Sequence, residues 1–168
     1  MPHLSIFTFD PESLPEDGVT IEGEVGLGEL EIPETDRISF PELFSFHLHV
    51  QPVHGGVLAQ GRGSTTLRCR CDRCLRYYDH DLCLEGICHY FKNAETELIN
   101  LTDDVRQDIL LSFPQTVHCA ENCRGLCPEC GQNLNVRDCG CRPAAERFGA
   151  WDVLDKLDLP DGGNGEEN

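Results

Sequence analysis

The string Cys127-Pro128-Glu129-Cys130-Gly131, followed by Cys139-Gly140-Cys141, sets two thiol pairs at the spacing C-x2-C-x8-C-x-C. Four thiolates offered by two tight turns suit tetrahedral zinc, which takes sulfur ligands at ~2.3 Å. Pro128 presets one backbone angle of such a turn. Gly131 tolerates the positive φ that lets neighbouring N–H groups face sulfur. Four protein ligands leave no coordination position for water, so the expected zinc is structural and not hydrolytic. A disulfide within C-P-E-C would need poor turn geometry.

Further thiols occur in RCRCDRCL, which holds Cys69, Cys71 and Cys74, and in HCAENCRGLC, which adds Cys119 and Cys123. A redox-active C-x2-C pair normally precedes a helix, whereas Leu75-Arg76-Tyr77-Tyr78 leads into strand-like alternation. Cys71, Cys74, Cys119 and Cys123 can instead form a second zinc site that clamps the two regions together. Two alternatives stay open: these are buried or free thiols, or Cys119 and Cys123 share the first ion in a rearranged set. Cys69, Cys83 and Cys88 are expected as small core residues. His47 and His49 fall on one strand face, and His118 is an outside candidate for a ligand. No H-E-x-x-H, P-loop, nucleophile elbow or dinucleotide fingerprint is present, so catalysis is not expected and no small-molecule substrate is assigned.

The elements that must hold these cysteines are mostly strands. Apolar residues recur at Leu4, Ile6 and Phe9, and again at Val19, Ile21 and Val25. Phe44, Phe46, Leu48 and Val50 alternate along the next segment. Gly55-Gly56 turns the chain, Val57 to Arg70 returns it, and Tyr77 to Phe91 gives a third long strand with Leu82, Leu84 and Ile87 apolar. A helix is predicted over about 102–112, with Thr102 as N-cap, Leu101, Val105 and Ile109 on one stripe, and Pro114 as terminator. A second helix is predicted after Pro143, with Phe148, Trp151, Leu154 and Leu157 apolar. The fold class is therefore α+β: a mostly antiparallel β-sheet able to curl toward a barrel, two short helices and a C-terminal zinc-binding lobe. The expected divisions are a β-rich domain over 1–113, a zinc lobe with its helix over 114–158, and a disordered tail over 159–168.

The formal net charge is −17 over 168 residues, and it is unevenly spread. Residues 1–60 carry 11 acids and one base. The span Arg62–Arg76 reverses the sign, with Arg62, Arg68, Arg70, Arg73 and Arg76 against Asp72 alone, and Tyr77 follows with a ring on which a base can stack. These six residues are the RNA-binding candidates; the competing account is a solvated strand face that balances the acidic half. Overall acidity opposes non-specific contact with phosphate. The N-terminal sequence lacks a signal-peptide pattern and no window suits a membrane span, so a reduced, cytoplasmic setting is expected. The 11 cysteines, an odd number, agree with metal binding better than with disulfides.

The piece CDRCL (Cys71 to Leu75), the helix ending in proline, and C-x3-C-x-G-L-C-P-x-C-G-x-N-L-N with its following C-x-C resemble the YceD family, the large ribosomal RNA subunit accumulation proteins. The resemblance is specific over residues 67–142, weaker in the last helix, and only general in the first 60 residues. By position, Cys71 and Cys74 match the family's first pair. Cys119, Cys123, Cys127, Cys130, Cys139 and Cys141 match its later six. The resemblance implies a cytoplasmic, non-enzymatic ribosome-biogenesis factor that supports accumulation or processing of 23S rRNA. Its partner would be that rRNA or a basic large-subunit ribosomal protein. Two other readings compete: a zinc-ribbon module of the transcription machinery, and a zinc-dependent hydrolase or nuclease, which would need an open metal position and a general base.

Overall fold

Alternation in the sequence becomes two faces of a sheet in the computed structural model, which describes residues 5–92 and 98–141. Two short 3-10 turns (Ser5–Phe7, Pro11–Ser13) flank β1 (Thr8–Phe9). They are followed by β2 (Val19–Val25), β3 (Ile38–Ser39), β4 (Phe44–Val53), β5 (Gly56–Arg70), β6 (Tyr77–Lys92), β7 (Ile99–Asn100) and α1 (Thr102–Ser112). The main sheet is antiparallel, with β4 and β5 between β2 and β6. The short β3 pairs with β5 at Arg68 and Cys69, beyond the point where β4 leaves it at Ser64. β1 and β7 form a separate two-stranded pair.

Phe44, Phe46, Leu48 and Val50 are all buried, as their spacing predicts, and meet Val57, Ala59 and Leu67 of β5 in the main core. The hairpin between β4 and β5 is closed by His54 and Gly55, the latter at φ 86°. Such a two-residue turn pins the register. On β5 the odd positions face inward, so Gln60, Arg62, Ser64 and Arg68 face solvent.

β6 carries an irregularity that the alternation only hints at. Gly61 pairs with Ile87 and Gly63 with Leu84, so Glu85 and Gly86 together oppose Arg62. This is a β-bulge, and the extra residue changes which parity faces inward. Before it Leu82 and Leu84 are buried; after it Ile87 is. The expectation that Cys83 and Cys88 are core residues is corrected on the same ground, because both lie exposed on the outer face while Cys69 is fully buried. Cys83 sits between two inward leucines, and the bulge turns Ile87 inward and Cys88 out.

Leu101, Val105 and Ile109 bury one stripe of α1 against the sheet, as predicted. The cap differs from expectation. Leu101 occupies the N-cap position, and the Asn100 side chain accepts the Thr102 N–H at 3.0 Å. Thr102 is the first helical residue because Asn100, a better local acceptor, lies two residues ahead of it. On the sheet side, His89 Nε2 lies 2.7 Å from Asp108 Oδ2 and ties α1 to β6. The predicted second helix, the tail and Leu4 lie outside the described residues.

Candidate metal centre

Two turns of the chain have the same backbone design. In the first, the Cys71 N–H donates to the Arg76 carbonyl at 2.9 Å and the Leu75 N–H donates back to the Cys71 carbonyl at 2.9 Å. In the second, the Cys127 N–H donates to the Gln132 carbonyl at 2.8 Å and the Gly131 N–H to the Cys127 carbonyl at 2.9 Å. Each turn presents a C-x2-C pair and then passes through the left-handed region, at Leu75 (φ 59°) and Gly131 (φ 72°). Glycine adopts that conformation freely, whereas leucine pays for it. Leu75 is also half exposed, so it contributes little burial. Leu75→Gly is expected to stabilise the protein by about 1 kcal/mol, seen as a raised Tm at unchanged metal content. A lowered Tm would show that the Leu75 side chain matters more than its backbone.

Each turn meets a second cysteine pair. The sulfurs of Cys71, Cys74, Cys119 and Cys123 lie within 4.8 Å of one another, and so do those of Cys127, Cys130, Cys139 and Cys141. Cys71 Sγ is 3.8 Å from Cys123 Sγ, and Cys74 Sγ is 3.6 Å from Cys119 Sγ. A tetrahedron with ~2.3 Å zinc–sulfur bonds has edges of about 3.8 Å. A disulfide would bring two sulfurs to about 2.0 Å. Both clusters could hold a metal ion, and the inner set matches the edge length expected for zinc.

The protonation chemistry agrees. Burial works against ionisation of Cys71, but the N–H groups of Cys119, Cys74 and Arg73 at its sulfur outweigh burial and bring its pKa down to about 6. Cys119 is pushed up to about 12, by burial first and then by the neighbouring thiols. In the outer cluster the N–H groups of Cys130 and Glu129 lower Cys127 to about 7. Hydrogen bonds with Cys130 and Cys139 hold Cys141 up at about 12. Cys71 and Cys123 of the inner set and Cys127 of the outer one are thus shifted toward the thiolate, and full ionisation of either set needs a cation among the sulfurs. The clusters differ in setting: three of the four inner cysteines are buried, whereas Cys130 and Cys141 of the outer set are exposed.

The inner cluster draws one ligand pair from the β5–β6 connection and one from the lobe that follows α1. Hydrogen bonds reinforce this join. Arg73 Nη1 donates to the Glu121 carbonyl at 3.2 Å and the Cys123 carbonyl at 3.3 Å, while the Leu126 N–H donates to the Arg73 carbonyl at 3.1 Å. Asp72 accepts both bonds of the Arg37 guanidinium at 2.7 Å and also the Val117 N–H at 3.1 Å. That Val117 N–H, more than Arg37, holds the Asp72 carboxyl below its usual range. Asn135 Nδ2 donates to Cys123 Sγ at 3.3 Å, support suited to a thiolate. Arg37, Asp72 and Asn135 leave no trace in alternation or spacing, beyond the placing of an aspartate inside a cysteine pair.

The arginine-rich span is distributed over three kinds of place. Arg68 pairs with Asp79 at 2.9 Å and Arg70 with Asp36 at 3.0 Å. Arg73 serves the lobe. Arg62, Arg76 and Tyr77 are exposed, with Arg62 beside His47 across the β4–β5 ladder and Tyr77 opposite Arg70. His47 and His49 share the outer face as expected, but His49 Nδ1 is engaged with Thr20 Oγ1 at 3.0 Å. Neither they nor His118 joins a metal-ligand cluster among the described residues.

Residues 89–158 match the family model described as "Large ribosomal RNA subunit accumulation protein YceD". That match confirms the YceD resemblance. It takes in α1, the outer cluster and the lobe's half of the inner one, and leaves Cys71 and Cys74 outside its bounds. The chain is also 34% identical over 83 residues to "Large ribosomal RNA subunit accumulation protein YCED homolog 1, chloroplastic" of Zea mays. The alignment covers 49% of this chain and 26% of the relative, so the chain spans about a quarter of that YceD homologue. No solved structure matches. Among the described residues, no helix is long and apolar enough to cross a membrane.

Proposed function

We propose that this protein is a non-enzymatic binding factor that supports accumulation of 23S rRNA, acting in the cytoplasm through a basic large-subunit ribosomal protein. Its two cysteine clusters would each hold a structural zinc ion, which draws the four thiols into their ionised form and ties the turns together. The family match over residues 89–158 carries this reading. Two closed four-sulfur sets favour a scaffold over a hydrolase, because neither leaves a ligand position for water.

The internal pairing of arginines favours a protein partner over bare RNA. Arg68 and Arg70 already have carboxylate partners, and Arg73 is committed to backbone carbonyls. The acids of residues 1–60 meet only one arginine in their own segment, Arg37, and it is bound to Asp72. Direct RNA contact remains as a second reading on the strength of the exposed Arg62, Arg76 and Tyr77. A salt titration separates the two. With a single-stranded rRNA fragment, weak binding without a steep salt dependence is expected. A slope of log K against log salt near roughly −3, as for four phosphate contacts, together with loss of that slope in Arg62→Ala/Arg76→Ala, would favour direct RNA contact.

A further inference from the structure

The connection from β2 to β4 folds around a groove of about 520 Å³. That volume lies within the roughly 300–1,000 Å³ of ligand clefts. Ile32, Pro33, Phe40 and Leu43 supply apolar wall. Ile32 is buried, Phe40 is half-buried against Phe113, and Leu43 is left 51% exposed at the mouth. Three carboxylates line the same groove: Glu31, Glu34 and Glu42. None of them takes part in an ion pair among the described residues. The Phe40 N–H donates to Glu34 Oε1 at 2.8 Å, which fixes that carboxylate at the wall and leaves its second oxygen open. Apolar wall beside unpaired negative charge fits one side-chain type best: a long aliphatic stem ending in a cation.

We propose that this groove receives an arginine-bearing segment of a partner protein. The guanidinium sits among Glu31, Glu34 and Glu42, and its stem lies on Phe40 and Leu43. This deepens the protein-partner reading above and rests on it. Charge complementarity supplies the choice of occupant. RNA would bring phosphate against three carboxylates, and an uncharged apolar peptide would leave those carboxylates desolvated without a partner. Arginine suits the site better than lysine because its planar fork can engage two carboxylates at once.

The test uses the full chain with its metal bound. Fluorescence anisotropy with a labelled arginine-rich peptide compares wild type, Glu31→Gln/Glu34→Gln/Glu42→Gln and Glu12→Gln/Glu16→Gln/Asp17→Asn. The second triple variant removes the same charge from exposed positions outside the groove. The amide oxygen introduced by Glu34→Gln would still accept the Phe40 N–H, and circular dichroism with zinc content confirms folding. Loss of at least about tenfold in affinity in the groove variant, against no more than about twofold in the other, is the expected result. Leu43→Ser, which changes no charge, should weaken binding several-fold. Equal losses in both triple variants would overturn the groove assignment. So would an arginine-rich peptide that binds all variants alike. If purified basic large-subunit ribosomal proteins still bound wild type in either case, the protein-partner reading would survive the loss of the groove. If neither peptide nor those proteins bound wild type while a single-stranded RNA did, both would fall.

Discussion

Cys74→Ser is expected to uncouple the lobe from the sheet and to remove one of two zinc ions per chain. Cys74 is buried, and its sulfur is 3.6 Å from that of Cys119, across the junction between the β5–β6 turn and the segment after α1. Structural zinc sites contribute on the order of 10 kcal/mol in small modules, far more than any single hydrogen bond at this junction. Three thiols left around a buried position cannot replace that contribution. Elemental analysis should fall from two zinc ions to one. Hydrogen exchange should rise in residues 115–126 and at Arg73, while the β4–β5 ladder stays protected. Two ions retained, with unchanged protection of that segment, would refute the inner ligand set.

Cys130→Ser is expected to act on the other cluster and to leave the junction intact. The outer sulfurs all come from residues 127–141, and two of the four cysteines are exposed. Apart from its cysteines, this segment is joined to the rest of the lobe by polar contacts: the isolated bridge between Leu126 and Asn133, the bond from the Leu134 N–H to the Gly125 carbonyl, the Asn135 amide between the Arg124 N–H and Cys123 Sγ, and an exposed pair between Arg124 and Asp138. Exposed pairs of this kind contribute about 1 kcal/mol or less. The variant should bind one zinc, lose order across residues 127–141, and keep most of the thermal stability of the sheet. In the doubly loaded protein a chelator should strip this ion before the buried one. A normal zinc content of two in Cys130→Ser would mean that the outer ligands are wrongly assigned.

Periodicity and spacing made much of the architecture legible. Phe44, Phe46, Leu48 and Val50 alternate without interruption, and a period of two can mean little else than one buried face. The outer four cysteines were legible for a different reason, since short-range spacing constrains a turn almost as strongly as a fold does; the inner two pairs were legible as pairs, but their meeting across 45 positions stayed one of several open readings. What escaped was whatever depends on a single residue against the pattern. The bulge at Glu85 and Gly86 shifts the phase of β6 by one, and no alternation count over Tyr77 to Phe91 separates that from noise. Cys88 was misplaced as a result, whereas Cys83, between the inward Leu82 and Leu84, was misplaced against the alternation itself. The Arg37–Asp72 contact spans 35 positions and joins two loops, so local pattern could not reveal it. The arginine span was legible as charge but not as pairing, because Asp36 and Asp79 reach it only after the sheet has formed.

The added residue at Glu85–Gly86 also makes β6 two half-strands with opposite facing rules. Everything C-terminal to it, including His89 against α1, owes its orientation to that one insertion. A deletion of Gly86 would leave Glu85 alone opposite Arg62 and restore a regular ladder. Ile87 would still face the core, Cys88 solvent and the imidazole its carboxylates, and the loss would be the local bend and added twist of the bulge. The faces of β6 should consequently survive loss of either bulge residue, whereas one-to-one pairing of β6 at its present length would turn every residue beyond Glu85 over.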